Sequence, residues 1–211
     1  MAKKLAEQIH ESLRTEIVHN RIKPGQVLDE DAIAAEYNVS RTPVREALLA
    51  LQKESLIKIV PRYGTYVSEI DPLFVSKTLR VKARLEGLAA ELAAPNITKQ
   101  DLEMLRDLIS PDIFLDAEQL NEVIGEQDAK FHALIRQRCN NEVLVRAIEE
   151  LEYTVLHFWH YIVPTHPEFV HAIDYLAQTI DAYAQHDAIQ AGYYMEQHAL
   201  IFYPLIQKLI Q

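Results

Sequence analysis

The sequence predicts a mainly α chain, with three helices and a β-hairpin over residues 1–71 and an all-helical antiparallel bundle of about six helices over residues 72–211. Three observations carry this. Apolar residues recur at helical spacing, as in Leu5, Ile9, Leu13 and Ile17. One pair of β-branched runs, Leu56–Val60 and Thr65–Val67, flanks the turn Pro61-Arg62-Tyr63-Gly64. After residue 71 no convincing strand appears, and Pro, Gly and Asn punctuate helical runs joined by short connections.

The first helix carries the stripe from Leu5 to Ile17 and ends before Pro24-Gly25. Asp29 caps a short second helix whose Ala32, Ile33 and Ala35 are available for packing. Asn38 stands where a tight turn needs a residue tolerant of the left-handed conformation. The third helix opens at Ser40-Arg41-Thr42-Pro43 and runs to about Ser55, with Val44, Ala47, Leu48 and Leu51 on its core face. Two short helices joined by a turn of about four residues is helix-turn-helix geometry. The hairpin that follows reads as a wing with Arg62 and Tyr63 at its tip, and Gly64 leaves room for another backbone to approach.

Asp71-Pro72 opens the second domain. Leu79, Leu85, Leu88, Ala89, Leu92 and Ala93 make a helical run stopped by Pro95-Asn96. Thr98 to Asp101 starts the next helix as a capping box, and Ser110-Pro111 breaks it. Further helices are expected from Asp116 to Arg138, from Glu142 to about Val163 (ended by Pro164 and Pro167), from Glu168 to His186 and from Asp187 to about Leu209.

Composition narrows the function. No run is long and apolar enough to span a membrane, and Met1 to Glu7 has no apolar signal core. A single cysteine, Cys139, excludes an internal disulfide framework, so a cytoplasmic protein is expected. The net charge of −10 is unevenly spread. Residues 1–71 hold 10 Lys/Arg against 11 Asp/Glu, and the remainder holds 11 against 20. Between Ser40 and Arg62 the bases Arg41, Arg45, Lys53, Lys58 and Arg62 face only Glu46 and Glu54, a local basic face compatible with DNA. Arg41 and Arg45 share one helix face, and hydroxyls and free N–H groups at the helix start also favour an anion.

The stretch Val39-Ser40-Arg41-Thr42-Pro43-Val44-Arg45-Glu46-Ala47-Leu48, followed by Pro-Arg-Tyr-Gly-Thr-Tyr-Val, resembles the winged helix-turn-helix of GntR-type bacterial transcription regulators. The resemblance implies that Arg41, Thr42 and Arg45, with Ser40, meet the major groove or its phosphates, and that Tyr63 and Gly64, beside Arg62, reach the minor groove. It departs at Asp29-Glu30-Asp31, where some relatives carry a phosphate-binding arginine. The motifs Leu85-Glu86-Gly87-Leu88-Ala89-Ala90 and Asp128-Ala129-Lys130-Phe131-His132 resemble the FCD effector domain of the FadR subfamily, and the helix count fits its VanR-like branch.

Asp128 and His132 lie four apart and project from one helix face, so they can share a ligand. The family pattern completes this pair with two histidines from the last two helices. One falls on His198; the other falls on Leu176, which cannot coordinate a metal. His157, His160 and His171 are other donors, and the expected ion is zinc, nickel or manganese in a weak or vacant site. Arg80, Lys82 and Arg84 form a cationic cluster in an acidic domain, which points to a small carboxylate effector. The resemblance puts Lys82 where relatives carry a cavity-facing arginine, and Arg80 is its companion.

The expected protein is therefore not an enzyme but a homodimeric, effector-responsive transcription regulator, a repressor released from double-stranded operator DNA by an organic acid. Symmetric half-sites need symmetric subunits. The alternative is a metal-dependent enzyme with Asp128, His132 and His198 holding the ion.

Overall fold

In the computed structural model, which describes residues 2–110, 120–162 and 172–210, the periodic residues of the N-terminal domain converge on one core. Helix α1 (Ala2–Val18) buries Ile9, Leu13 and Ile17. Helix α2 (Glu30–Glu36) buries Ile33 and Ala34, and α3 (Arg41–Lys53) buries Val44, Ala47, Leu48 and Leu51. Asp29 starts α2 by accepting from the N–H groups of Asp31 and Ala32. Asn38 makes the turn into α3 with φ of 52°. Ser40 occupies the cap position of α3, but its hydroxyl makes no capping bond.

Strands β2 (Ile57–Val60) and β3 (Gly64–Val67) form the expected hairpin. The sequence does not predict the third strand: β1 (Val27–Leu28) pairs antiparallel with β3, giving the order β1-β3-β2. Two residues are too few to carry an alternation signal.

Beyond Asp71 the described residues form α4 (Pro72–Ala93), a 3₁₀ turn (Ala94–Asn96), α5 (Lys99–Leu108), α6 (Leu120–Arg138), α7 (Glu142–Ile162), α8 (Ala172–Ala184), α9 (Ala188–Ala199) and α10 (Tyr203–Ile210). The capping box at Thr98 and Asp101 is present in full. The helix expected to run unbroken from Asp187 to Leu209 is two, α9 and α10. Pro204 lies in the first turn of α10, where its missing N–H costs nothing; continued from α9, its ring would clash with the carbonyl four residues back. The breaks expected at Pro111, Pro164 and Pro167 lie outside the described residues, as does His171.

The division into compact units is not purely sequential. Met1–Asp71 groups with Glu150–Ile162, and Pro72–Glu149 groups with Val163–Gln211. Tyr153 and Leu156 explain the first grouping, because they pack against the N-terminal core. There the Arg14 guanidinium lies 4.1 Å over the Tyr153 ring, and Asn20 donates to the His157 carbonyl.

In the second unit Phe131, Ile135, Ile148, Leu105, Ile180 and Met195 fill the core. Helices α4 and α9 touch at two glycines. A Cβ on Gly87 would stand 2.9 Å from the Gly192 carbonyl oxygen, and one on Gly192 would stand 2.9 Å from that of Gly87. Cys139, just past α6, is buried and its thiol donates to the Arg136 carbonyl.

Candidate functional site

Two groups of side chains stand out. The first lies on α2, α3 and the wing. Because Val44, Ala47, Leu48 and Leu51 hold one face of α3 in the core, Arg41, Thr42 and Arg45 are exposed on the other. Ser40 is exposed beside them. Neither arginine is unpartnered. Arg41 grips Asp31 in a fork, Nε 2.5 Å from Oδ1 and an Nη 2.7 Å from Oδ2. Arg45 Nε donates to Glu30 Oε2 at 2.8 Å, and this bond, with the charge of Glu30, raises the guanidinium pKa further.

At the wing tip Arg62 adopts φ of 69°, a conformation that costs a branched or bulky residue steric energy. Gly64 follows at φ of 126°. Tyr63 between them is 80% exposed, and the Tyr66 hydroxyl donates to its carbonyl oxygen, which staples the tip.

The second group is in the interior of the helical unit. Glu86 of α4 has no exposed surface. Its Oε1 accepts from Lys82 Nζ at 2.8 Å and from an Arg136 Nη at 2.6 Å, and its Oε2 lies 3.1 Å from His132 Nδ1. Burial, the largest influence on Glu86, opposes its charge; His132, Lys82 and Arg136 outweigh it and hold the carboxyl well below the usual range.

One turn before His132 on α6, Asp128 Oδ1 lies 2.8 Å from His198 Nε2 and Oδ2 lies 3.7 Å from His132 Nε2. Burial would raise this carboxyl too, but the charges of His132 and His198 and the bond from His198 bring it down to about 2. The two imidazole rings lie 5.3 Å apart. One donor atom from each of Asp128, His132 and His198 lies within 4.8 Å of the others. Two imidazole nitrogens and a carboxylate oxygen suit a borderline divalent ion. The Glu86 carboxylate against His132 Nδ1 leaves Nε2 of that ring directed at the cluster, the relation that orients metal-bound histidines.

The other expected donors do not join. Leu176 of α8 is 4% exposed in the apolar core with Ile180 and Tyr183. His157 and His160 group with the N-terminal unit, where the His160 ring lies 4.4 Å from that of His19. Neither belongs to the donor cluster found among the described residues. Of the cationic trio, only Lys82 faces inward, and its ammonium is already paired. Arg80 is exposed, and Arg84 pairs with Glu196 from the exposed side. Tyr183 is a packing residue; its hydroxyl donates to the Ala90 carbonyl and burial pushes its pKa up.

Sequence reasoning missed four partners: Glu86, Arg136, Glu30 and Asp31. Spacing offered a signal for two of them. Glu86 is four residues from Lys82, and Arg136 is four from His132.

The profile of the family described as "Bacterial regulatory proteins, gntR family" matches residues 5–67, and that of the "FCD domain" matches residues 77–200. The chain is 35% identical over 150 residues to the HTH-type transcriptional repressor RspR of Escherichia coli K12; the match covers 71% of this chain and 65% of that protein. It is 30% identical to the HTH-type transcriptional regulator McbR of the same organism, covering 70% of this chain and 66% of McbR. Like the first of these matches, the chain thus spans just under two thirds of the length of the curated relatives named RspR and YdfH. Among solved structures, E. coli McbR/YncC superposes with a TM-score of 0.80 at 24% identity, covering 98% of this chain and 99% of that one. A GntR regulator from Rhodococcus sp. RHA1 gives 0.77 at 20% identity, covering 96% and 97%. At these identities the superpositions speak for the fold.

Proposed function

The chain belongs to the gntR family of bacterial regulatory proteins and carries an FCD domain, and from this premise we propose that it is a transcription regulator that binds operator DNA through α3 and the wing. The observation that carries the reading is the exposed set of Arg41, Thr42 and Arg45 on a helix whose opposite face is fully buried, beside an exposed and stapled Tyr63. An α-helix with such a face fits the major groove, and a guanidinium can bind guanine or phosphate in bidentate fashion. Ser40, Arg62 and Gly64 flank these residues and take backbone contacts. One recognition helix covers only a half-site, so the protein acts as a homodimer.

Arg45→Ala is expected to weaken binding to a duplex selected in vitro on this protein by about 1–3 kcal/mol. Fluorescence anisotropy measures it. Unchanged affinity in the Arg41→Ala, Arg45→Ala double variant would remove α3 from the interface.

The helical unit senses a small organic acid, and the protein represses until that acid binds. Asp128, His132 and His198 would hold a divalent ion, zinc, nickel or manganese, and the ion would supply a Lewis-acidic anchor for a carboxylate. Lys82 and Arg136 put cationic donors near the same interior through Glu86. Leu176 leaves the chain with three protein donors, so the ion is held weakly. Equilibrium dialysis of tag-free protein against zinc tests this. Micromolar or weaker binding lost in His198→Ala is the expected result. An ion that survives exhaustive dialysis against buffer would overturn the weak-site reading.

A further inference from the structure

The recognition arginines are held by carboxylates of their own chain. Asp31 engages Arg41 through two atoms, and Glu30 engages Arg45 through Nε. Both acids stand in the first turn of α2, fixed there by the Asp29 cap. All four charged groups are exposed or half-exposed, so these pairs are not needed to satisfy buried charge, and each contributes little to stability. Their effect falls on the surface that meets DNA.

We infer that Glu30 and Asp31 act as built-in counterions of Arg41 and Arg45 and so determine how well the protein distinguishes its operator from other DNA. The inference rests on the DNA-binding reading above. Binding without sequence preference comes almost wholly from phosphate charge and the release of condensed cations. An arginine already paired with a carboxylate displaces fewer cations from DNA, and the carboxylate repels the phosphate brought near it. Base reading depends instead on where the guanidinium edge points. At Arg45 the carboxylate takes Nε and leaves the Nη groups for a base edge; at Arg41 it takes Nε and one Nη, which fixes the guanidinium plane and leaves the other Nη. The acids thus weaken indiscriminate binding more than specific binding.

The test uses the full chain and its Glu30→Gln, Asp31→Asn double variant, which keeps shape and removes two charges. Each is titrated by anisotropy with the selected duplex and with a scrambled duplex of equal length, from low to moderate KCl. The variant is expected to bind scrambled DNA at least about tenfold more tightly near 0.1 M salt, with a log–log salt slope steeper by roughly two, one for each freed arginine. The ratio of selected to scrambled affinity should fall. An unchanged slope for scrambled DNA overturns the counterion role. A steeper slope with both duplexes gaining equally overturns the role in discrimination. The Arg41→Ala, Arg45→Ala variant is the separate arm: if it binds both duplexes like the parent, the DNA-binding reading itself fails.

Discussion

Glu86 takes two cations, Lys82 and Arg136, and the His132 ring with no contact to solvent. Its substitution is therefore expected to cost more than a lost hydrogen bond. Glu86→Gln keeps the shape but leaves Lys82 and Arg136 crowded and uncompensated in the interior. A loss of about 3–5 kcal/mol is expected from urea unfolding of the full chain. A loss below about 1 kcal/mol would mean that the cluster is hydrated. At this scale the sequence is half legible. Pairs four apart on one helix, Lys82 with Glu86 and Asp128 with His132, announce themselves by spacing. The bond from Arg136 to Glu86 spans 50 residues, and no local pattern encodes it. The same is true of the Arg45 and Glu30 pair across the helix-turn-helix.

Between elements, the contact of α4 with α9 sets what the interior can do, because Glu86 and His198 lie on those two helices. Gly87→Ala favours helix formation by about 1 kcal/mol in isolation. Here its methyl group would meet a backbone carbonyl at 2.9 Å, and backbone yields only if the helices part. Net destabilisation of about 1–3 kcal/mol is expected, as for overpacked cores; on the proposed metal site, zinc affinity falls too, because His198 moves with α9. Stability equal to or above the parent would show that the two helices are free to separate. Capped and proline-bounded elements were legible: Asp29, Thr98 with Asp101, and Asp187 all act as helix starts. The break before α10 had its signal in Pro204. The two residues of β1 had none, because their strand exists only through pairing with β3.

For the whole molecule, buried and half-buried ionisable side chains with lowered pKa values shape an acid profile, Asp128 and Glu86 among them. Burial lowers the His157 imidazole to about 4, and burial with the charges of His19 and His157 lowers His160 to about 4 as well. Their ordinary value is 6.5, so the unfolded chain takes up protons first as pH falls. Stability present above pH 6.5 is thus lost progressively between about 6.5 and 4. Asp101 extends the profile. The bond from Arg138 holds it at about 2, with burial opposing and Thr98 assisting, against an ordinary 3.8, so its contribution is lost as pH falls from about 4 toward 2. His157→Phe should flatten the upper window and leave the lower one intact, as read from urea midpoints at stepped pH. An unchanged upper window would assign it to other groups. The sequence shows the two-part architecture and the uneven charge, because composition is additive along the chain. It does not show that Glu150–Ile162 packs with the N-terminal unit, which depends on which surface Tyr153 and Leu156 find.

The single thiol has a consequence for measurement. Cys139 is 4% exposed, and its Sγ–H points at the carbonyl of Arg136, the residue that also binds Glu86. An alkylating reagent reaches it only when this end of α6 opens, so the labelling rate counts openings rather than surface area. With no second cysteine to dilute the signal, mass spectrometry of the intact chain becomes a clock for the breathing of the helical interior, and any small molecule that fits there slows it.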